Sequence, residues 1–139
     1  MSFFGEKMLS VLFILHFLAD FLLQTPQMGR EKSEKFKVLL LHCNIHFLVF
    51  LFGLIVIGLG PAILFALTNA FIHGIIDWYV WRLYKKSVVE RNPGVDLEIL
   101  KKTFKYWEDP IFIKTIGFDQ LLHILTLYGL WQFFTHFLI

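Results

Sequence analysis

The chain divides into four long apolar blocks, and each block carries one pair of ionisable residues spaced four apart. The first block runs from about Met8 to Gln24 and stops at Thr25-Pro26, where proline cannot continue a helix and restricts the residue before it. The second follows Ser33, which reads as an N-cap, and is apolar from Val38 to Ile57. Gly58-Leu59-Gly60-Pro61 ends it and starts the third, with Pro61 in the first turn. The third reaches about Trp81, and the fourth opens at Asp109-Pro110, an N-cap followed by a proline. Each block has roughly the 17 to 25 residues that ~30 Å of hydrocarbon requires.

Composition agrees with a membrane domain. The chain is 57% hydrophobic and 18% aromatic with a mean hydropathy of +0.65, which fits poorly with a disordered chain, a disulfide scaffold or a nucleic-acid-binding domain. A single cysteine, Cys43, leaves no intrachain disulfide and no thiolate zinc cluster. The first block carries His16 and Asp20 and no small-residue cleavage site follows it, so it does not read as a cleavable signal. The expected fold is all-α: a single membrane domain over 1–139, an antiparallel four-helix transmembrane bundle with spans at about 8–24, 38–57, 61–81 and 115–137.

Charge gives the orientation. Of the thirteen Lys and Arg, Lys7 precedes the first span, four (Arg30, Lys32, Lys35, Lys37) lie in the first loop, and eight lie between Arg82 and Lys114. Four crossings therefore put twelve of thirteen on one side, and the positive-inside rule makes that side cytoplasmic, with both termini outside. Trp81, Tyr84, Tyr106 and Trp107 sit where an aromatic belt would. Within the cytoplasmic segment 82–114, Leu97, Leu100, Phe104 and Trp107 recur at helical spacing against Glu98, Lys101, Lys102 and Lys105, which predicts a short interfacial helix.

The paired residues are His16 and Asp20, His42 and His46, His73 and Asp77, and Asp119 and His123. Spacing of four places both members of a pair on one helix face. Three Asp near mid-span would cost on the order of 8 kcal/mol on the translocon scale, so they need partners. Counting inward from Gln24, Val38, Trp81 and Thr115, the fourth residue is Asp20, His42, Asp77 or Asp119, and the eighth is His16, His46, His73 or His123. An antiparallel bundle stacks these as two layers separated by ~6 Å of helix rise. Histidine and carboxylate converging from four helices form the ligand set of a divalent metal, zinc first with iron or manganese as alternatives, one or two ions. A self-satisfied polar or proton-relay network is the competing reading. His136 lies outside both layers.

Gln24 and Asn69 share a face with their neighbouring pairs, and Gln120 adjoins Asp119, so these three are candidates to orient ligands. Arg30, Lys32, Arg82 and Lys85 flank the inner mouth and are candidate phosphate-binding residues, against a simpler role as topology determinants. The sequence also repeats: ILHFLADFL at 14–22 matches FIHGIIDWY at 71–79 in the placement of His, Asp and the aromatic after Asp. His42-x-x-x-His46 then corresponds to Asp119-x-x-x-His123, giving a parallel repeat of two helical hairpins with a pseudo-two-fold site between them.

The stretches HFLADFLLQT, GREKS, HCNIH, HGIID and FDQLLH, in that order, resemble a family of small bacterial and phage membrane proteins catalogued as domain-of-unknown-function family 3307. The resemblance covers nearly the whole chain and implies a multi-pass protein of the bacterial inner membrane. In residue types and placement alone the pattern is also similar to membrane-bound metal-dependent hydrolases. The expected activity is hydrolysis of a lipid or lipid-linked phosphoester or ester reached from the cytoplasmic leaflet, with one carboxylate among Asp20, Asp77 and Asp119 free to act as base. Alternatives are a non-haem di-iron oxidoreductase and a metal-ion or proton transporter. The expected partners are the bilayer and the lipid substrate, with no nucleic acid.

Overall fold

A computed structural model describes residues 3–137, and among them every regular element is helical. Helix α1 spans Phe3–Phe17 and continues as one π turn, Leu18–Leu22, closed by the Leu23 amide donating to the Leu18 carbonyl at 2.9 Å. Thr25 then caps α2, Pro26–Glu31, its hydroxyl accepting from the Met28 amide at 3.2 Å. Helix α3 spans Phe36–Leu54 and tightens into a 3₁₀ turn, Ile55–Ile57. Gly58 turns the chain at φ +105°, a conformation glycine adopts without Cβ strain, and α4 runs Leu59–Arg91. Helix α5 is Leu97–Thr103, a 3₁₀ turn follows at Tyr106–Glu108, and α6 is Pro110–Phe137.

Among the described residues, three helical stretches, Phe36–Ile57, Leu59–Arg91 and Pro110–Phe137, are long and apolar enough to cross a membrane. The first apolar block differs from the other three: its α-helix has only 15 residues before the π turn. The segment around Ser33 also departs from expectation. Lys35, which makes no side-chain cap, precedes α3, while the Ser33 carbonyl accepts from Arg82 Nε at 2.9 Å. Nor does the backbone break at Trp81. Arg82, Leu83, Lys85, Lys86, Glu90 and Arg91 are good helix formers, and the helix ends only at Asn92-Pro93-Gly94, with Gly94 at φ +82°. Asp109 does cap α6, accepting from the Ile111 amide at 3.1 Å, and Asp96 caps α5 through the Glu98 and Ile99 amides. Helix α5 is shorter than its apolar pattern: Leu100 is buried and Phe104 packs beside it, while Leu97 and Trp107 face outward.

Helix α1 packs on α3 and α6, and α4 packs on the same two from the other side. Each presents one buried face. On α4 that face includes Ala62, Ala66, Ala70 and Gly74 at four-residue intervals, small residues that let backbones approach closely. A Cβ on Gly74 would stand 2.7 Å from Cys43 Sγ of α3, so this crossing requires glycine. The helices share an apolar core at one end, built on Leu12, Phe50, Leu54, Phe65, Leu127 and Trp131. Outward faces carry Phe52, Val56, Phe71 and Phe118, which suits lipid contact. At the other end of the same buried faces lie the ionisable pairs.

Candidate metal centre

All eight paired residues are buried, and they come from α1 with its π turn, α3, α4 and α6. Continuing the face of Met8, Leu9 and Leu12, α1 presents His16, and the π turn presents Asp20. On α3, His42 and His46 precede Phe50 and Leu54. On α6, Asp119 and His123 precede Leu127 and Trp131, and on α4 the order is reversed, Phe65 and Ala66 preceding His73 and Asp77. Amphipathic spacing thus carries two kinds of interior on one stripe.

His42 lies at the centre. Its Nε2 is 3.2 Å from Asp20 Oδ1, 3.2 Å from Asp77 Oδ2, 3.0 Å from His73 Nε2 and 3.3 Å from Lys32 Nζ. His73 Nε2 is in turn 3.0 Å from Asp77 Oδ2 and 3.8 Å from Asp20 Oδ1. One imidazole nitrogen has one proton or one lone pair, so it satisfies one hydrogen bond and not four. Donor atoms of a tetrahedral or octahedral shell with bonds of ~2.1 Å stand about 3.0–3.4 Å apart. The spacing around His42 falls in that range.

The histidines expected in the deeper layer also meet. Ring centroids of His46 and His73 are 3.6 Å apart, those of His73 and His123 4.2 Å, and those of His16 and His123 5.1 Å. Both nitrogens of His46 and of His123 are buried without a hydrogen-bond partner among the described residues. Orphaned polar atoms of this kind carry a cost of about 1–3 kcal/mol each and need an explanation. Among the described residues, three overlapping groups have ligand atoms within 4.8 Å of one another: Asp20, His42, His46 and His73; His16, Asp20 and His123; and His73, Asp77 and His123. Asp119 belongs to none of these. Its Oδ2 is 3.6 Å from His123 Nδ1, and its Oδ1 has no hydrogen-bond partner among the described residues.

Gln120 ties α6 to α1: its amide nitrogen donates to Asp20 Oδ2 at 2.8 Å and to Asp119 Oδ2 at 3.3 Å, and its Oε1 meets His16 Nε2 at 3.2 Å. Gln24 and Asn69 make no such link. Gln24 lines the cavity described below, and the Asn69 amide nitrogen is buried without a partner among the described residues.

The four basic candidates separate. Arg82 bonds the Ser33 carbonyl and stacks 3.8 Å above the Trp78 ring, and Lys85 pairs with Glu34 at 3.0 Å and the Arg30 carbonyl. Lys32 is instead 3% exposed, and its Nζ lies 2.8 Å from Asp77 Oδ1 and 3.5 Å from Asp20 Oδ1. Burial alone would favour the neutral amine, but the carboxylates of Asp77 and Asp20 outweigh it and hold the Lys32 pKa above its usual value. A cavity of about 470 Å³ opens beside it, lined by Asp20, Asp119 and Gln120 on one side and by Arg30, Lys85 and Lys101 among others.

Two features of the centre had no signal in residue spacing. One is the π turn that carries Asp20, a distortion frequent at functional sites. The other is the reach of Lys32 into the interior, which depends on α2 folding back under the helices. The chain belongs to the family described as "Protein of unknown function (DUF3307)", whose match covers residues 8–138. No curated protein and no solved structure matches the chain.

Proposed function

We propose that the chain is a metal-dependent hydrolase embedded in the bacterial inner membrane, acting on a lipid or lipid-linked phosphoester or ester from the cytoplasmic leaflet. Its architecture in this reading is an antiparallel four-span bundle made of two parallel helical hairpins, with the termini outside. The repeat is supported by His42 Nε2 standing 3.2 Å from both Asp20 and Asp77, the two equivalent carboxylates. The observation that carries the metal is the convergence on His42 together with the unpartnered nitrogens of His46.

A divalent ion there, zinc in the first instance, would polarise a phosphoryl or carbonyl oxygen and bring the pKa of a water toward ~7. The residues supply the rest. Asp119 is the carboxylate outside every ligand group, with an unpaired oxygen and a place on the cavity wall, so it is the general base in this reading. Gln120 holds Asp20 and Asp119 in register. Arg30, Lys85 and Lys101 draw an anionic headgroup into the cavity.

Hydrolysis ranks above transport because the polar layers end against the apolar core of Phe50, Phe65, Leu127 and Trp131, whereas a translocation path needs an opening on both sides. The test uses detergent-purified protein, elemental analysis and a lipid phosphoester panel. His46→Ala is expected to lose metal and turnover together. Asp119→Asn is expected to keep metal while kcat falls about 10²–10⁴-fold, the usual worth of a general base. Full metal retention in His46→Ala, or metal-loaded protein that cleaves nothing yet moves the ion across liposomes, overturns the reading.

A further inference from the structure

Lysine is almost never fully buried unless paired, and Lys32 is buried against three residues of the centre: Asp77 at 2.8 Å, His42 at 3.3 Å and Asp20 at 3.5 Å. Its side chain reaches them from the turn between α2 and α3, and it also lines the cavity. An ammonium so placed changes how many ions the centre holds.

Three carboxylates, Asp20, Asp77 and Asp119, and one ammonium are buried together, and the imidazoles act as ligands in their neutral form. Two negative charges remain, which one divalent ion balances. A second ion would leave two uncompensated positive charges in a low-dielectric interior, at an effective cost of several kcal/mol each. Ligand geometry points the same way. The fullest group, Asp20 with His42, His46 and His73, supplies four donors. The group of His73, Asp77 and His123 competes with it for His73 and offers a carboxylate that Lys32 holds more closely, at 2.8 Å against 3.5 Å for Asp20.

We propose that Lys32 is the fixed second cation of this centre: a single divalent ion is held by Asp20, His42, His46 and His73, and the ammonium anchored on Asp77 does what a second ion does in two-metal hydrolytic sites. It presents positive charge at the cavity floor, where an anionic oxygen of the substrate is then held between ion and ammonium. The proposal rests on the metal-binding part of the proposed function and not on the reaction catalysed.

Its test is a count of ions. Purified chain saturated with Mn²⁺ is expected to hold one ion per chain, with the electron paramagnetic resonance spectrum of an isolated ion. Lys32→Arg keeps the charge and is expected to stay at one. Lys32→Glu leaves four negative charges, so it is expected to accumulate only with excess Mn²⁺ and to hold two ions with an exchange-coupled spectrum. Two coupled ions in the wild type, as an Asp20 bridge to His16 and His123 would give, overturn the assignment. So does a Lys32→Glu chain that stays at one ion, or that fails to accumulate in excess Mn²⁺. No ion in any form overturns the metal reading itself, whereas the expected counts without hydrolysis leave Lys32 in its role and remove only the activity.

Discussion

Where α1, α3, α4 and α6 enclose Leu12, Phe50, Phe65, Leu127 and Trp131, the interior is apolar and close-packed; one or two turns along the same faces it holds five imidazoles, three carboxylates and a lysine. The apolar end asks nothing of a ligand. Between helices in lipid there is little hydrophobic force, so that end is held by dispersion and shape fit. Desolvation makes the polar end expensive, and it is only partly satisfied: Asp77 has Lys32, His42 and His73, yet His46 and His123 keep unpaired nitrogens. A bundle can therefore be stabilised at one end and leave strain-bearing, ligand-seeking groups at the other. Burial alone therefore does not identify a core.

The largest effect that separates the ends is expected from Trp131→Ala, which removes a buried side chain 1% exposed. It should cost about 3–5 kcal/mol by leaving a cavity, seen as a lower unfolding midpoint in detergent, with metal content per folded chain unchanged. A loss of metal would mean the two ends are coupled. A smaller effect is expected at the α3–α4 crossing. The Cβ of Gly74→Ala would meet Cys43 Sγ at 2.7 Å, costing about 1–3 kcal/mol. Adding Cys43→Ala should recover more than half of that loss, and a double-mutant cycle without coupling would show that the contact is not the cause.

The smallest is electrostatic and lies beyond the centre. Asp109 is held by Arg91 at 2.7 Å and by the Tyr84 hydroxyl at 2.9 Å, and the Arg91 guanidinium pulls its pKa from 3.8 down to about 2. A depressed carboxylate pKa contributes stability above the unfolded value, and the contribution is lost as pH falls through the folded one. Asp109→Asn keeps the α6 cap but removes the charge, so it should cost about 1 kcal/mol near neutral pH, as befits a pair with a partly exposed arginine. That difference from wild type should vanish between about pH 4 and pH 2. A constant difference across this window would mean the charge contributes nothing.

Much of the centre was legible in spacing. The four pairs, the breaks at Thr25-Pro26 and Gly58 to Pro61, and the Asp109 cap all follow from local chemistry: proline without an amide hydrogen, glycine at positive φ, a carboxylate on free amides. The helical reach past Trp81 lay outside the expected span, because the change to charged residues at Arg82 marks a polarity boundary and not a helix end, and Asn92-Pro93-Gly94 is the first strong stop. Asp119 illustrates the limit. Its spacing equals that of the other carboxylates, and only the packing of α6 turns it toward Gln120 and the cavity rather than into a ligand group.

By itself, then, the sequence determined that His16, His42, His46, His73, His123 and three Asp would lie on single helix faces, because a period of 3.6 residues is a property of the backbone. Tertiary structure alone decided which of those atoms meet. The π turn that carries Asp20, the closeness of α3 to α4 at Gly74, and the return of α2 that brings Lys32 to within 2.8 Å of Asp77 each depend on contacts between residues far apart in the chain. Local periodicity fixes direction around a helix; distance across the interior is set only when the helices pack.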